Sequence, residues 1–512
     1  FHCEFKHSIQ IHNTMNLNTT TSPQRQSEAP PPTTPNSLRS GRVVVAAALS
    51  SKETPVKMIK ATPKRWIILT LFCLNAGNKA FQWIQVPAVT TKATIFYQVD
   101  NYVINFASII FMLAFLLISW PACFVIDKIG IRNAVVSASV GASLGSIVKC
   151  FSCQSSNGVY LMLLGQTLVS LSEQLIFSVP SRLISVWFPD HQVSLAMAIC
   201  ILGNQLGIGL GFVLPQWFLQ EAETVSDIGI GFGWIFFWTA VLSCTLFVLN
   251  YLLFDEAPIH APGEARFRQI ELERQQKLDE LANPNSSIIS KVRIMLGQIL
   301  KLLKNPDLVL VGISYGIAFG RGDTISTLMD QTMQPLYPGH GSIVGLTGCL
   351  IIVAGALGLP IWGRILDKWR AYKKVNIILS ISTTLSLLAL AYAILYLRWV
   401  LGIYLAAIVF GFFQTGFLVS SLELAIELTY PAPELITSSF LNIIPSITGP
   451  IFVIIGSYIV DNFGALATIG FYLITLLLGF ICIMCVKERL KRQEAIQMRD
   501  AGRESARPER QV

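Results

Sequence analysis

The chain has 512 residues, 53% hydrophobic and 13% charged, with a formal net charge of +8 and a mean hydropathy of +0.57. Soluble domains carry about a quarter charged residues, so this composition excludes a disordered polypeptide, a collagen-like fibre and a disulfide scaffold, and argues against a soluble enzyme of this length. A polytopic membrane protein is the class that fits. The chain opens on Phe1, with its first methionine at Met15, and residues 1–64 are polar and rich in Pro, Ser and Thr. They hold no apolar core of a signal peptide, so no cleavable leader is expected and the arm reads as disordered.

Apolar stretches then recur at 66–90, 103–126, 133–152, 158–180, 193–219 and 229–254, and after a polar interval at 306–334, 342–366, 375–397, 400–426, 437–461 and 465–486. Each is close to the roughly 20 residues that a span needs. Lipid satisfies no backbone group, so the stretches are expected to be helices; a barrel would alternate polar and apolar residues in segments of about ten. The expectation is an all-α membrane protein with twelve transmembrane helices in two six-helix halves, 65–254 and 306–487. Between them lies a linker, 255–305, and after them a basic tail, 488–512.

Basic residues collect on one side. Lys128 and Arg132 follow span 2, Arg182 follows span 4, and Lys368, Arg370, Lys373 and Lys374 follow span 8. The linker holds eight basic residues and the tail from Lys487 another eight, whereas 219–229 and 330–342 hold none. Arg398 is the main exception. The positive-inside rule places both termini and the linker in the cytoplasm, with the plasma membrane as the expected location. The net charge is thus a topology signal, and no nucleic-acid partner is expected. Within the linker, Ile288–Lys304 mixes apolar and basic residues at helical spacing, as an amphipathic helix lying on anionic lipid does.

Asp127-Lys128-Ile129-Gly130-Ile131-Arg132 follows span 2, and Gly363-Arg364-Ile365-Leu366-Asp367-Lys368-Trp369-Arg370 follows span 8. The two strings hold the same place in each half. They resemble the GxxxD[RK]xGxR signature of the major facilitator superfamily, with Cys123 where the first copy expects Gly. Asp127, Lys128, Arg132, Gly363, Asp367 and Lys368 are therefore candidate gating residues. Charges at helix ends make ion pairs and dipole contacts that can lock two halves in one state.

More specific strings are Ala80-Phe81-Gln82-Trp83-Ile84-Gln85, Pro180-Ser181-Arg182, Leu202-Gly203-Asn204-Gln205-Leu206-Gly207 and Glu423 to Pro431. Together they resemble the feline leukaemia virus subgroup C receptor-related transporters over about 65–487. The resemblance implies a facilitator of choline and ethanolamine, with haem export also ascribed to the family. It also implies that the tryptophan of the Phe-Gln-Trp string, here Trp83, binds the ammonium group through its ring face.

The residues themselves give polar stripes at helical spacing. Span 1 carries Asn75, Asn78, Lys79, Gln82 and Trp83; span 4 carries Gln166, Ser170, Glu173 and Gln174; span 5 carries Asn204 and Gln205. Span 7 carries Asp323, Thr324, Thr327, Asp330 and Gln331, with Tyr315 as its nearby aromatic roughly two turns away, and span 11 carries Asn442 and Ser446. Polar residues in lipid-embedded helices face the bundle, either to bond neighbouring helices or to line a cavity near the midplane. Trp83, Gln82, Lys79, Gln166, Glu173, Gln174, Asn204, Gln205, Tyr315, Asp323, Thr327, Asn442 and Ser446 are the candidate substrate-binding set. Lys79, Glu173, Asp323 and Ser446 depart from the family pattern, which has Asn, Gln, an aromatic and Gln there. Lys79 and Glu173 read as a pair across the cavity; Arg321 and Asp323, two apart, do not face each other.

The six histidines all lie outside the spans, so haem has no axial ligand in the cavity. No P-loop motif occurs, which argues against ATP-driven transport. No cofactor and no catalytic constellation is expected, and a monomer is the expected unit. The readings left open are a transporter of an organic cation, a haem exporter, a proton-coupled carrier using Glu173 or Asp323, and a non-transporting receptor.

Overall fold

The computed structural model describes residues 62–258, 260, 262–263, 297, 301–369, 371–397, 399–432, 434–487, 492–493 and 498. The polar arm up to 61, most of the linker with most of the expected amphipathic helix, and most of the basic tail lie outside the described residues, as do Arg370 and Arg398.

Helix α1 is Lys64–Ile84. Asn101–Phe151 forms α2 and α3, which meet at Gly130, where φ is +85° and the chain reverses. Then come α4 (Val159–Phe177), α5 (Val193–Leu219), α6 (Val225–Leu253), α7 (Pro306–Met333), α8 (Gly341–Trp369), α9 (Tyr372–Tyr392) and α10 (Val400–Thr429). Glu434–Cys485 forms α11 and α12, which reverse at Gly464 with φ +78°. Both turns need a positive φ, which glycine adopts without a Cβ penalty. Short helices lie at Thr90–Tyr97 and Pro180–Trp187.

Ten stretches of the described residues are long and apolar enough to cross a membrane. The last of them holds both α11 and α12. Helix α1 completes the twelve: its 21 residues span about 31 Å at 1.5 Å per residue. Its Asn75, Asn78, Lys79 and Gln82 lower its hydropathy, yet all four are buried. The fold is the expected one, two six-helix halves with α1–α6 in the first and α7–α12 in the second.

Local signals set the helix ends. Thr224 and Asp227 form a reciprocal capping box at the start of α6. Asn305 accepts from the amides of Asp307 and Leu308, with Pro306 at the first helical position of α7. After α1 the chain makes a 3-10 turn, Pro87–Val89, instead of running on to residue 90.

Packing divides by side. On the side that carries Lys64, Asp255 and Lys487, one apolar cluster runs through the first half (Leu69, Phe72, Ile131, Trp187) and a separate one through the second (Leu308, Leu379, Leu424, Leu441). On the opposite side a single cluster joins both halves, with Ile84 and Phe212 packed among Ile325, Met329, Val344 and Phe410.

Candidate functional site

The interior of the first half is organised around a buried lysine. Lys149 of α3 is fully buried, and its ammonium donates to Gln82 Oε1 at 2.7 Å and Gln166 Oε1 at 3.1 Å. It also lies 5.9 Å from the centre of the Phe236 ring, within cation–π reach. Gln82 Oε1 accepts from Ser146 at 3.0 Å, and the Gln82 amide donates to Ser243. Gln166 donates to the Gln82 carbonyl at 2.8 Å. The polar ends of Gln82 and Gln166 are thus taken up among α1, α3, α4 and α6.

Lys79, also fully buried, donates to Asn75 Oδ1 at 2.6 Å, one turn back on α1. Asn75 in turn donates to Ser139 at 2.7 Å. Glu173 is near enough for its charge to act on Lys79, but no ion pair within 4.0 Å joins them among the described residues. Glu173 is half-buried, as are Asn204 and Gln205. Gln174 is buried with its Oε1 unpartnered, an acceptor left open in a site where such atoms are costly.

Trp83 stands one residue from Gln82, about 100° around the helix, and points elsewhere. It packs on Ile109, Met112 and Val453, which belong to α2 and α11, and also on the cluster shared by both halves. Its ring therefore lies at the boundary of the two halves; its Nε1 is buried without a partner. Asp323 of α7 reaches the same boundary. A Cβ on Gly449 of α11 would stand 3.0 Å from Met112 Sδ and 3.4 Å from Asp323 Oδ2, so these three helices meet at close range here. No hydrogen bond or ion pair among the described residues takes up the half-buried Asp323 carboxylate. Tyr315 lies two turns away on the same face of α7 and donates to Asn442 Oδ1 at 3.3 Å. Ser446 turns its hydroxyl back onto the Asn442 carbonyl at 3.0 Å.

Beyond this point the halves are bonded to each other. Thr327 meets Ser108 at 2.9 Å, and Asn105 donates to Gln331 and Ser457, each at 3.0 Å. Asp330 accepts from the Thr91 amide and from Gln216, each at 2.8 Å. Asp461 accepts from Asn101 at 2.7 Å and from Gln331. Asn105, Ser108, Gln216, Ser457 and Asp461, which bond the two halves, and Lys149 were not singled out from the sequence.

The signature residues lie on the other side. Lys128, Asp367 and Lys368 are exposed, and Gly363 is half-buried with open space where a Cβ would stand; the Asp127 side chain lies outside the described residues. The Arg132 guanidinium donates to the Tyr251 carbonyl at 3.0 Å, within its own half. The Glu256 carboxylate accepts from the amides of Ile131 at 2.9 Å and Arg132 at 2.7 Å, capping α3.

Comparison with known proteins agrees with this architecture. The Major Facilitator Superfamily profile matches residues 67–434. The chain is 33% identical over 437 residues to the choline/ethanolamine transporter flvcr2b of Danio rerio, covering 85% of this chain and 86% of that protein. It is 31% identical to the human choline/ethanolamine transporter FLVCR2, covering 87% and 81%. A bacterial homologue of the human lysosomal transporter Spinster, solved in an inward-facing, unoccupied conformation, superposes with a TM-score of 0.62 over 83% of this chain and 98% of that one, at 12% identity, which is a likeness of fold. The chain belongs to the major facilitator superfamily and, within it, to the family of membrane transporters that holds the FLVCR choline/ethanolamine transporters.

Proposed function

We propose that this transporter carries a small organic cation of the choline and ethanolamine class, with the site at the boundary of the halves beside Trp83 and Asp323. The protein is a multi-pass membrane transporter that works by alternating access, and not an enzyme. What supports the substrate class is one juxtaposition. An aromatic ring from the first half packs on the cluster that holds Met112, and an unpaired carboxylate from the second lies beside Gly449, which faces Met112. A ring face attracts a desolvated ammonium, and a carboxylate at bilayer depth needs a cationic partner. The names of the relatives point the same way. We take the termini to be cytoplasmic, the host to be the plasma membrane and the working unit to be a monomer.

The test is uptake of labelled choline, ethanolamine and a panel of neutral and anionic metabolites into vesicles holding the purified protein. Choline or ethanolamine uptake that saturates is expected. Trp83→Ala is expected to raise the half-saturating concentration about two- to thirtyfold and Trp83→Phe by less, since a ring face is worth about 0.5–2 kcal/mol to a cation. An unchanged half-saturating concentration in Trp83→Ala at equal protein density would make the tryptophan a packing residue and remove the site from this boundary.

A further inference from the structure

The second half repeats the glutamine contact found beside Lys149, with its cation on the first helix, α7, where Lys149 is on the third, α3. In the first half Gln166 of α4 donates to the backbone of α1 at Gln82 and accepts from a buried cation. In the second, Gln414 of α10 donates to the backbone of α7 at Ala318, at 2.8 Å, and its Oε1 accepts from Arg321. Each half thus holds a buried cation against a glutamine of its fourth helix. A further difference lies in what else the cation meets. Lys149 has a second glutamine and an aromatic ring, and its stem packs so closely that a Cβ on Gly165 would stand 2.6 Å from its Cγ. Arg321 lines a cavity.

That cavity lies within the second half, among α7, α9, α10 and α12, and is bounded by Ser314, Arg321, Ser380, Thr383, Phe417 and Gly479. Arg321 is 2% exposed and its Nε has no partner. Among the described residues no carboxylate lies within 4.0 Å of it, and Asp323, two positions on, faces another way. An ammonium in such surroundings has the recourse of giving up its proton; a guanidinium has none. A permanent charge at mid-helix with one neutral acceptor is too costly to leave so. The chemistry that completes it is a small anion.

We propose that this cavity is a binding site for a monovalent inorganic anion of the chloride class, held by Arg321. Size favours a bare ion over an organic acid. The cavity leaves about 10 Å³ for the centre of a water-sized sphere, room for a single body of about that size and far too little for an organic acid. Ser380 adds a hydroxyl whose proton can turn toward the anion. The site is separate from the boundary beside Trp83 and does not depend on which solute is carried.

The experiment uses the purified full-length protein, exchanged from gluconate into rising chloride or bromide at constant ionic strength, and reads the thermal midpoint and the chloride NMR linewidth. A saturable rise in midpoint and a saturable line broadening, both abolished in Arg321→Gln, are expected. Ser380→Ala removes one donor and leaves the charge, so it is expected to fold and to shift the half-saturating chloride concentration about three- to tenfold upward. If Arg321→Gln fails to fold, the wild-type titration and Ser380→Ala decide the matter. No difference between halide and gluconate in the wild type would overturn the site, and so would halide effects of equal size and midpoint in Ser380→Ala and the wild type.

Discussion

Two neighbours on α1 show how much a single position decides. Gln82 and Trp83 are adjacent in sequence, but the first is turned into its own half and the second to the boundary. Spacing places both on one polar stripe, because a stripe about 100° wide includes residues with different neighbours. Which of them meets the solute depends on where α3 and α6 stand, and the sequence of α1 does not contain that. Lys149 was hidden for a related reason. It closes an apolar stretch, where a lysine ordinarily snorkels to the interface, and only the fold shows its ammonium held by Gln82 and Gln166. That network can be tested directly. Gln82→Leu leaves a buried ammonium one acceptor short and should cost about 1.5–3 kcal/mol, since the bond involves a charged group. Lys149→Met keeps the length of the side chain and leaves only the neutral Gln166 Oε1 without its donor, since Gln82 Oε1 keeps Ser146, so its cost should be smaller. Thermal unfolding of both variants gives the order, and a less stable Lys149→Met would show that the lysine is a net stabiliser and not a demand that the glutamines meet.

At the scale of the element, hydropathy placed the spans well because each helix must offer apolar side chains to lipid. It failed where a loop is itself buried. Val86 and Val89 are buried in the outer cluster of the first half and Ala88 in the cluster shared by both halves, so the apolar signal continues although α1 ends at Ile84 and Pro87 begins a 3-10 turn. The signature loop was legible as a motif, and its glycine sits where the chain reverses. Its partner was not legible, because Glu256 lies far along the chain, after α6. The carboxylate of Glu256 holds the Ile131 and Arg132 amides at the start of α3, the position where a negative charge is favoured by the helix dipole. It also lies where a Cβ on Gly130 would stand, 2.7 Å from its Oε1. Glu256→Ala should therefore lower stability by about 1–2 kcal/mol, as loss of a cap does, and Glu256→Gln by less, since an acceptor remains. An Ala variant that unfolds with the wild type would show the contact to be idle.

Across the whole molecule the two sides of the membrane differ. On the side that carries Lys64 and Lys487 the cores of the halves are separate, and the contacts Lys64–Asp255, Arg132–Tyr251 and Lys487–Asp307 each stay on one half. On the other side a common apolar cluster and a chain of hydrogen bonds join them. A lone Asn105 in α2 or Ser457 in α11 gives no signal in the sequence; each acquires meaning only when the other is 3.0 Å away. Alternating access requires that this seam be reversible, so its bonds should set the balance between the two states and not only the stability of one. Asp330 is the natural point to disturb, because it accepts from both Thr91 and Gln216 and so ties α7 to the segment after α1 and to α5. Asp330→Ala removes both bonds while the apolar cluster stays. Each is worth about 1.5–3 kcal/mol as a bond to a charged group, enough to move a population by about tenfold to more than a hundredfold. Spin labels at the exposed positions Glu223 and His340, one in each half, in a background with the native cysteines replaced, would report the separation. In the parent the short distance should dominate; in Asp330→Ala a longer one should grow, and in Asn105→Leu, which loses the bonds to Gln331 and Ser457, it should grow as well. An unchanged distribution in both variants, with the protein folded, would mean that the apolar cluster alone holds this side closed and that the polar seam has no part in the switch.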